Sequence, residues 1–381
     1  MIEAVGDEGA EAAAENALCA RLRGEDVPIS PAMVATARRH RLHLVLAAAA
    51  RSGELEHSAS AVLLAESRQA LVVDLIRERT LRDLLDQFAA AGVGALLLKG
   101  AGLAYTLYPS AHLRPRADLD VMIARASLAS AERTLAARGW TRAAEPDAEL
   151  VTAQRHYVLA RPAAFDEQLD LHWKIANPQI FGDAVTFEEL LSRAVPVTAL
   201  GPHARTPSTP DALFIACLHR VAHHDDAVDL LWLWDIHLLA SRLSAEERAR
   251  FLGLARRASM RAVSARGLEL ACARFRTPGA ADLIAALQQP AGERPEPSAT
   301  FLGGLSQVEV LRADLSALGG WRARLTLLGE HLFPPGVYVR SAYPRCPAAL
   351  LPLAYVHRIV RGAPKWFRRP TSPQAGDRPL P

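Results

Sequence analysis

The chain has 381 residues, half of them hydrophobic and 22% charged, with a formal net charge of +3. That length suits two or three compact units with a sizeable core, and the composition excludes a wholly disordered chain. The weak net charge gives no reason to expect a nucleic-acid partner, and the four cysteines (Cys19, Cys217, Cys272, Cys346) form no CxxC pair, which excludes a zinc ribbon or a small disulfide framework by spacing.

Residues 1–15 read as a flexible tail, acidic and Ala-rich and so unlike a secretory signal. No stretch approaches the ~18 apolar residues needed to span a bilayer. With free thiols suited to a reducing compartment, a cytoplasmic location is expected. From 16 to 91 the chain reads as a helical N-terminal region, with apolar residues at helical spacing over 17–50 and 59–91. In the second stretch Leu71, Leu75, Leu81, Leu84, Leu85 and Phe88 would form one apolar face, with Arg77, Glu78, Arg82 and Asp83 on the wet side.

The texture changes at Gly92-Val93-Gly94. A short apolar run, Ala95-Leu96-Leu97-Leu98, closed by Lys99-Gly100, fits a strand buried on both faces. A short helix over 101–108 follows, stopped by Pro109, and 119–123 reads as a second strand. Residues 127–139 read as a helix with Ser127 as N-cap and Gly139 as stop. Strands are expected at 156–160 and 168–175. This order implies an α/β or α+β core over 92–205. Residues 206–369 read as a helical C-terminal region, with helices at 211–223, 228–243, 245–262, 263–276 and 306–332 and a linker or long loop over 289–300. Residues 370–381 read as a disordered tail.

Asp118 and Asp120 stand two apart at the head of a strand, so alternation puts both carboxylates on one face with Cα atoms ~6.5 Å apart. Two such groups can share hard divalent cations, and a cation pair can clamp the attacking and leaving oxygens of a phosphoryl displacement. Asp170, in Gln168-Leu169-Asp170-Leu171-His172, is the candidate third carboxylate, with His172 on its face. An isolated DxD is also ordinary turn chemistry; the alternation with Leu and Val after a Lys-Gly turn favours the metal site. Gly100 permits a tight turn, the following helix start offers N–H groups to phosphate, and Lys99 adds a point charge. An ordinary strand–helix connection is the plainer reading of the same dipeptide.

Leu98-Lys99-Gly100, Leu107-Tyr108-Pro109, Arg114, Asp118-Leu119-Asp120 and Leu169-Asp170-Leu171-His172-Trp173 together resemble the uncharacterised bacterial nucleotidyltransferase family of the polymerase-β-like superfamily. His219-Arg220-Val221-Ala222-His223 and Trp232-Leu233-Trp234-Asp235 resemble its helical half, so the likeness runs over roughly residues 90–240. The resemblance implies an α+β fold, a small mixed β-sheet flanked by helices. It further implies ATP or another NTP as donor, and Mg²⁺ (or Mn²⁺) held by Asp118, Asp120 and Asp170. An acceptor hydroxyl would attack the α-phosphate and release pyrophosphate. Lys99, Gly100, Arg114 and Arg116 are the nucleotide-binding candidates. Lys99-Gly100 replaces the superfamily's Gly-Ser, and Arg116 stands where a small or neutral residue is more usual. It is free either to salt-bridge Asp118 or Asp120 or to bind phosphate.

His219 and His223 share a helical face and, with His172, are candidates for an acceptor pocket. Polar packing at a helix end is the plainer reading, and a His-Asp phosphohydrolase using His219, His224, Asp225 and Asp235 is a further one. A catalytically weak accessory module is a third reading, from the missing serine and Arg116. The Trp232/Trp234 pair reads as helical core, and Asp235 as a buried structural acid or a partner of the site. The basic C-terminus (Arg358, Arg361, Lys365, Arg368, Arg369) reads as a solvated end or as a contact for anionic lipid or another protein.

Overall fold

The computed structural model describes residues 2–50, 58–143, 148, 150–161, 165–289 and 296–369. The tail at 370–381 and half of the 289–300 linker lie outside these residues, and Pro297–Phe301 forms a 3₁₀ turn. Helices α1 (Ile2–Leu22), α2 (Pro31–Arg39), α3 (His43–Ala48) and α4 (Ser58–Ala90) come first. The first of these runs through residues that read as a tail from sequence.

The central sheet is built from β1 (Ala95–Leu97), β2 (Leu119–Ile123), β3 (Thr141–Arg142), β4 (Gln154–Leu159) and β5 (Glu167–His172), in the order β1-β2-β5-β4-β3. Only the β2–β5 pair is parallel, so the sheet is mixed. Helix α5 (Lys99–Thr106) links β1 to β2, and α6 (Leu128–Ala137) lies in the crossover from β2 to β5. Ser127 stands at the N-cap of α6 as expected, but its side chain accepts no capping hydrogen bond; a 3₁₀ turn over Arg125–Ser127 leads in instead. Gly139, at φ +80°, ends that helix in a conformation other residues rarely adopt. Strand β5 stops at His172, short of the expected 175.

Beyond the sheet come α7 (Gln179–Gly182), α8 (Phe187–Ser192) and a small hairpin of β6 (Val195–Pro196) and β7 (Arg205–Thr206). The helical half comprises α9 (Thr209–Ala222), α10 (Leu230–Arg242), α11 (Ala245–Arg257), α12 (Arg261–Phe275) and α13 (Ala280–Gln288). Helices α14 (Gln307–Ala317), α15 (Trp321–Leu332), α16 (Gly336–Ala342) and α17 (Leu351–Trp366) follow. The expected single helical stretch at 306–332 breaks at Gly320, whose φ is +113°.

Strand β2 is buried at every position, so both faces of the sheet are covered. One face packs Leu97, Val121, Leu169 and Leu171 against the C-terminal half of α4 and against α6. The other puts Leu96 and Met122 into the larger core shared by α1–α3 and α9–α13. Period-2 alternation therefore places Asp120 and Asp170 on the second face, toward α9 and α10. On α4, Leu81, Leu84, Leu85 and Phe88 are buried as expected, but Leu71 and Leu75 are exposed: the first half of the helix has nothing over that stripe.

Candidate active site

Asp120 and Asp170 are direct partners in the parallel β2–β5 register. With His172 they form the one group among the described residues able to hold a metal ion by residue type and spacing, their ligand atoms all lying within 4.8 Å of one another. Asp118 stands two residues upstream, at the mouth of this cluster. Burial, followed by repulsion from Asp120 and Asp170, pushes the Asp118 carboxyl up to about 7. That surplus of negative charge is what a divalent cation would relieve, so the donor set fits one.

The Asp120 carboxylate accepts at Oδ1 from Lys99 Nζ at 2.9 Å and from His172 Nε2 at 2.8 Å. Because an ionised carboxylate only accepts, the His172 proton sits on Nε2. Burial works against the Asp120 charge, but Lys99 and His172 outweigh it and hold its pKa below the ordinary range. Burial likewise opposes the Lys99 charge and is outweighed by Asp120, so the ammonium is retained. Burial, reinforced by the Lys99 charge, keeps His172 below its usual value.

Lys99 reaches Asp120 through an unusual backbone. Leu98 N–H donates to Asp120 C=O at 2.9 Å, ending the strand pairing, and Lys99 then opens α5 at φ +42°. The left-handed residue is thus Lys99, not Gly100. The requirement for glycine at 100 is a different one: a Cβ there would lie 2.4 Å from Arg114 Nη1. Gly100 lets that guanidinium close over the head of α5.

Arg114 itself is anchored to Asp235 of α10, with Nη2 to Oδ2 at 2.6 Å and Nε within 3.1 Å of both oxygens. Tyr108 Oη donates to the same carboxylate at 2.6 Å. Asp235 is therefore a buried structural acid that ties the loop before β2 to the helical half. Arg116 goes to neither of its expected partners. It pairs with Asp74 of α4, donates to Tyr105 Oη at 3.1 Å and lies over the Tyr105 ring. The Asp118/Asp120 pair is left clear of it.

Two groups on β4 escaped the sequence reading. Gln154 Nε2 donates to Asp170 Oδ2 at 3.1 Å, and His156 Nε2 lies 3.4 Å from the same oxygen. His156 faces Asp170 in register across the strands. Alternation of Gln154 with His156 was the available signal, but it points to Asp170 only once the pairing is known.

Over the cluster stands the histidine face of α9. His219 Nδ1 and His223 Nε2 are shut from solvent and have no hydrogen-bond partner among the described residues. Burial, then the Lys99 charge, hold both rings well below their usual pKa, so both are neutral. His219 and His224 meet at 3.1 Å through their Nε2 atoms, and Trp232 closes on both rings. Trp232 is half-buried aromatic wall rather than helical core. The phosphohydrolase constellation is not assembled, because Asp235 is taken by Arg114 and Tyr108.

The sequence profile of a family described as uncharacterised nucleotidyltransferase matches residues 30–276, well over half of the chain. The chain belongs to that family. The nucleotidyltransferase match spans α2 to α12 and so includes the carboxylate cluster, the α5 turn and the histidine face together. No curated protein matches the sequence. No helix among the described residues is long and apolar enough to cross a membrane.

Proposed function

We propose that this nucleotidyltransferase is metal-dependent and moves a nucleoside monophosphate, AMP from ATP, onto a hydroxyl of a small-molecule, peptide or protein acceptor. The observation that carries the reading is Asp120 and Asp170 side by side on adjacent parallel strands, with Asp118 in the bend just ahead of β2, close enough for both carboxylates to repel its charge. Asp118, Asp120 and Asp170 would hold Mg²⁺ or Mn²⁺, which supplies charge neutralisation for the triphosphate and the departing pyrophosphate.

The chain's own groups divide the remaining work. His172 fixes the Asp120 carboxylate through its Nε2 proton. Lys99, a retained cation at the cluster, is the point charge available to the triphosphate, beside the free N–H groups that open α5. With Arg114 and Arg116 committed to Asp235 and Asp74, the nucleotide-binding role falls first to Lys99 and to the Gly100 turn. The acceptor hydroxyl attacks the α-phosphorus, the bond to the bridging β-phosphate oxygen breaks, and pyrophosphate leaves. The hydroxyl proton passes to Asp170 or to a neutral imidazole of the acceptor pocket, His219 or His223. His172, the third acceptor-pocket candidate, has its Nε2 committed to Asp120.

The test is incubation with α-labelled NTPs, Mg²⁺ and cell extract, comparing wild type with Asp118→Asn and Asp120→Asn. Label transfer by the wild type alone is expected; transfer that survives both substitutions removes these aspartates from the reaction. A second reading, an accessory module that keeps the fold with little turnover, is favoured by one contact. Lys99 Nζ already occupies an Asp120 oxygen that a cation needs.

A further inference from the structure

Helix α17 carries no Asp or Glu, and between residues 331 and 369 the chain has none at all against seven Lys or Arg. Its inner side is packed. Tyr355 Oη donates to Pro334 C=O at 2.6 Å and Arg358 Nη1 donates to His331 C=O at 3.1 Å, with Ala354 buried at the border of that side. Its outer side is divided lengthwise. At ~100° per residue, Leu353, Val356, Val360 and Phe367 fall within ~60° of arc, and His357, Arg361, Lys365 and Arg368 fall on the arc beside it.

The apolar line is in solvent: Leu353 is 62% exposed, Val356 57%, Val360 66% and Phe367 71%. Phe333, at the end of α15, is also 63% exposed and sets its ring 6.0 Å from Tyr355. A contiguous apolar strip of this kind on a folded chain needs a cover. A nucleic acid would use the basic line and leave the apolar one wet. Both lines are used at once where a bilayer meets water, with aliphatic side chains among the acyl chains and cations among anionic headgroups.

We propose that the outer face of α17 docks the protein on an anionic phospholipid surface, lying in the interface. The charge complementarity is one-sided: Arg361, Lys365 and Arg368 have no ion pair among the described residues, while Arg369 is already held by Glu309. The helix has 16 residues and does not cross the bilayer. This site is separate from the carboxylate cluster and holds whether or not the nucleotidyl transfer reading does.

The experiment is co-sedimentation of the full chain with vesicles of phosphatidylcholine containing about 30 mol% phosphatidylglycerol, against phosphatidylcholine alone. Binding to the anionic vesicles, weakened by salt, is expected. The triple change Arg361→Glu, Lys365→Glu and Arg368→Glu should lower partitioning by about 10- to 100-fold. Val356→Asn with Val360→Asn should lower it by about tenfold or more. All of these side chains are exposed, so the variants should keep the wild-type circular dichroism and melting temperature. No anionic-vesicle binding by the wild type, or binding untouched by both variants, overturns the proposal. So does a wild-type dimer in analytical ultracentrifugation that Val356→Asn and Val360→Asn dissolve, since the cover would then be a second copy.

Discussion

At the scale of single residues, the tension at Asp118 is the feature with the clearest consequence. Its carboxyl is raised from an ordinary 3.8 to about 7 by burial and by Asp120 and Asp170. The folded chain therefore holds this proton more tightly than the unfolded one. Its contribution falls as pH rises from about 4 to about 7, and the full penalty stands above that. Asp118→Asn should accordingly raise the stability of the metal-free protein at pH 8 by on the order of 1–2 kcal/mol, a melting shift of ~1–3 °C. Near pH 4 the shift should vanish. Thermal melts of both proteins across that range check it, and a difference independent of pH would show that Asp118 carries no such strain. Lys99 is the counterpart. Its φ of +42° is a cost of order 1–2 kcal/mol for a residue with a Cβ. The ion pair to Asp120 is what that conformation reaches.

At the scale of elements, the Arg114–Asp235 pair links the loop ahead of β2 to α10, with both side chains buried. Arg114→Met would leave the Asp235 charge shut in with only Tyr108, and should cost about 3–5 kcal/mol in urea unfolding. Adding Asp235→Leu should recover part of that loss, because the orphaned charge goes with it. A single substitution costing under about 1 kcal/mol would mean that the pair does not hold these elements together. Contacts of this type show why only part of the site is legible in the chain. The strand with Asp120 reads directly from its apolar run, whereas Asp118 falls in the bend just before it. The match of Asp120 with Asp170 needs only that their strands be neighbours. By contrast, Arg116 and Asp74 are 42 residues apart, and nothing local tells that arginine to turn toward α4 rather than toward the carboxylates. The helical period of α4 continues through Leu71 and Leu75, yet burial stops, because periodicity marks a face without saying how far its partner extends. The two-residue strands β6 and β7 are shorter than any pattern can register.

At the scale of the whole molecule, one hydrophobic cluster joins α1–α3 to α9–α13 across the sheet face that carries the carboxylates. The helices that the sequence separates into N-terminal and C-terminal regions thus meet at the core beneath the site. This is why a histidine face near residue 220 can stand over aspartates near 120 and 170. It also brings His172 of the sheet and His219 and His223 of the α9 end to one place, while α17 presents its basic-apolar face elsewhere.

Gathering of a divalent cation for a nucleotide by the β2–β5 carboxylates is measured by Mn²⁺ titration followed by electron paramagnetic resonance, with and without ATP. Mn²⁺ binding by the wild type that ATP strengthens is expected, with a loss of about tenfold or more in Asp120→Asn and in Asp170→Asn. Equal Mn²⁺ binding by the wild type and both variants, or no binding even with ATP, would contradict it.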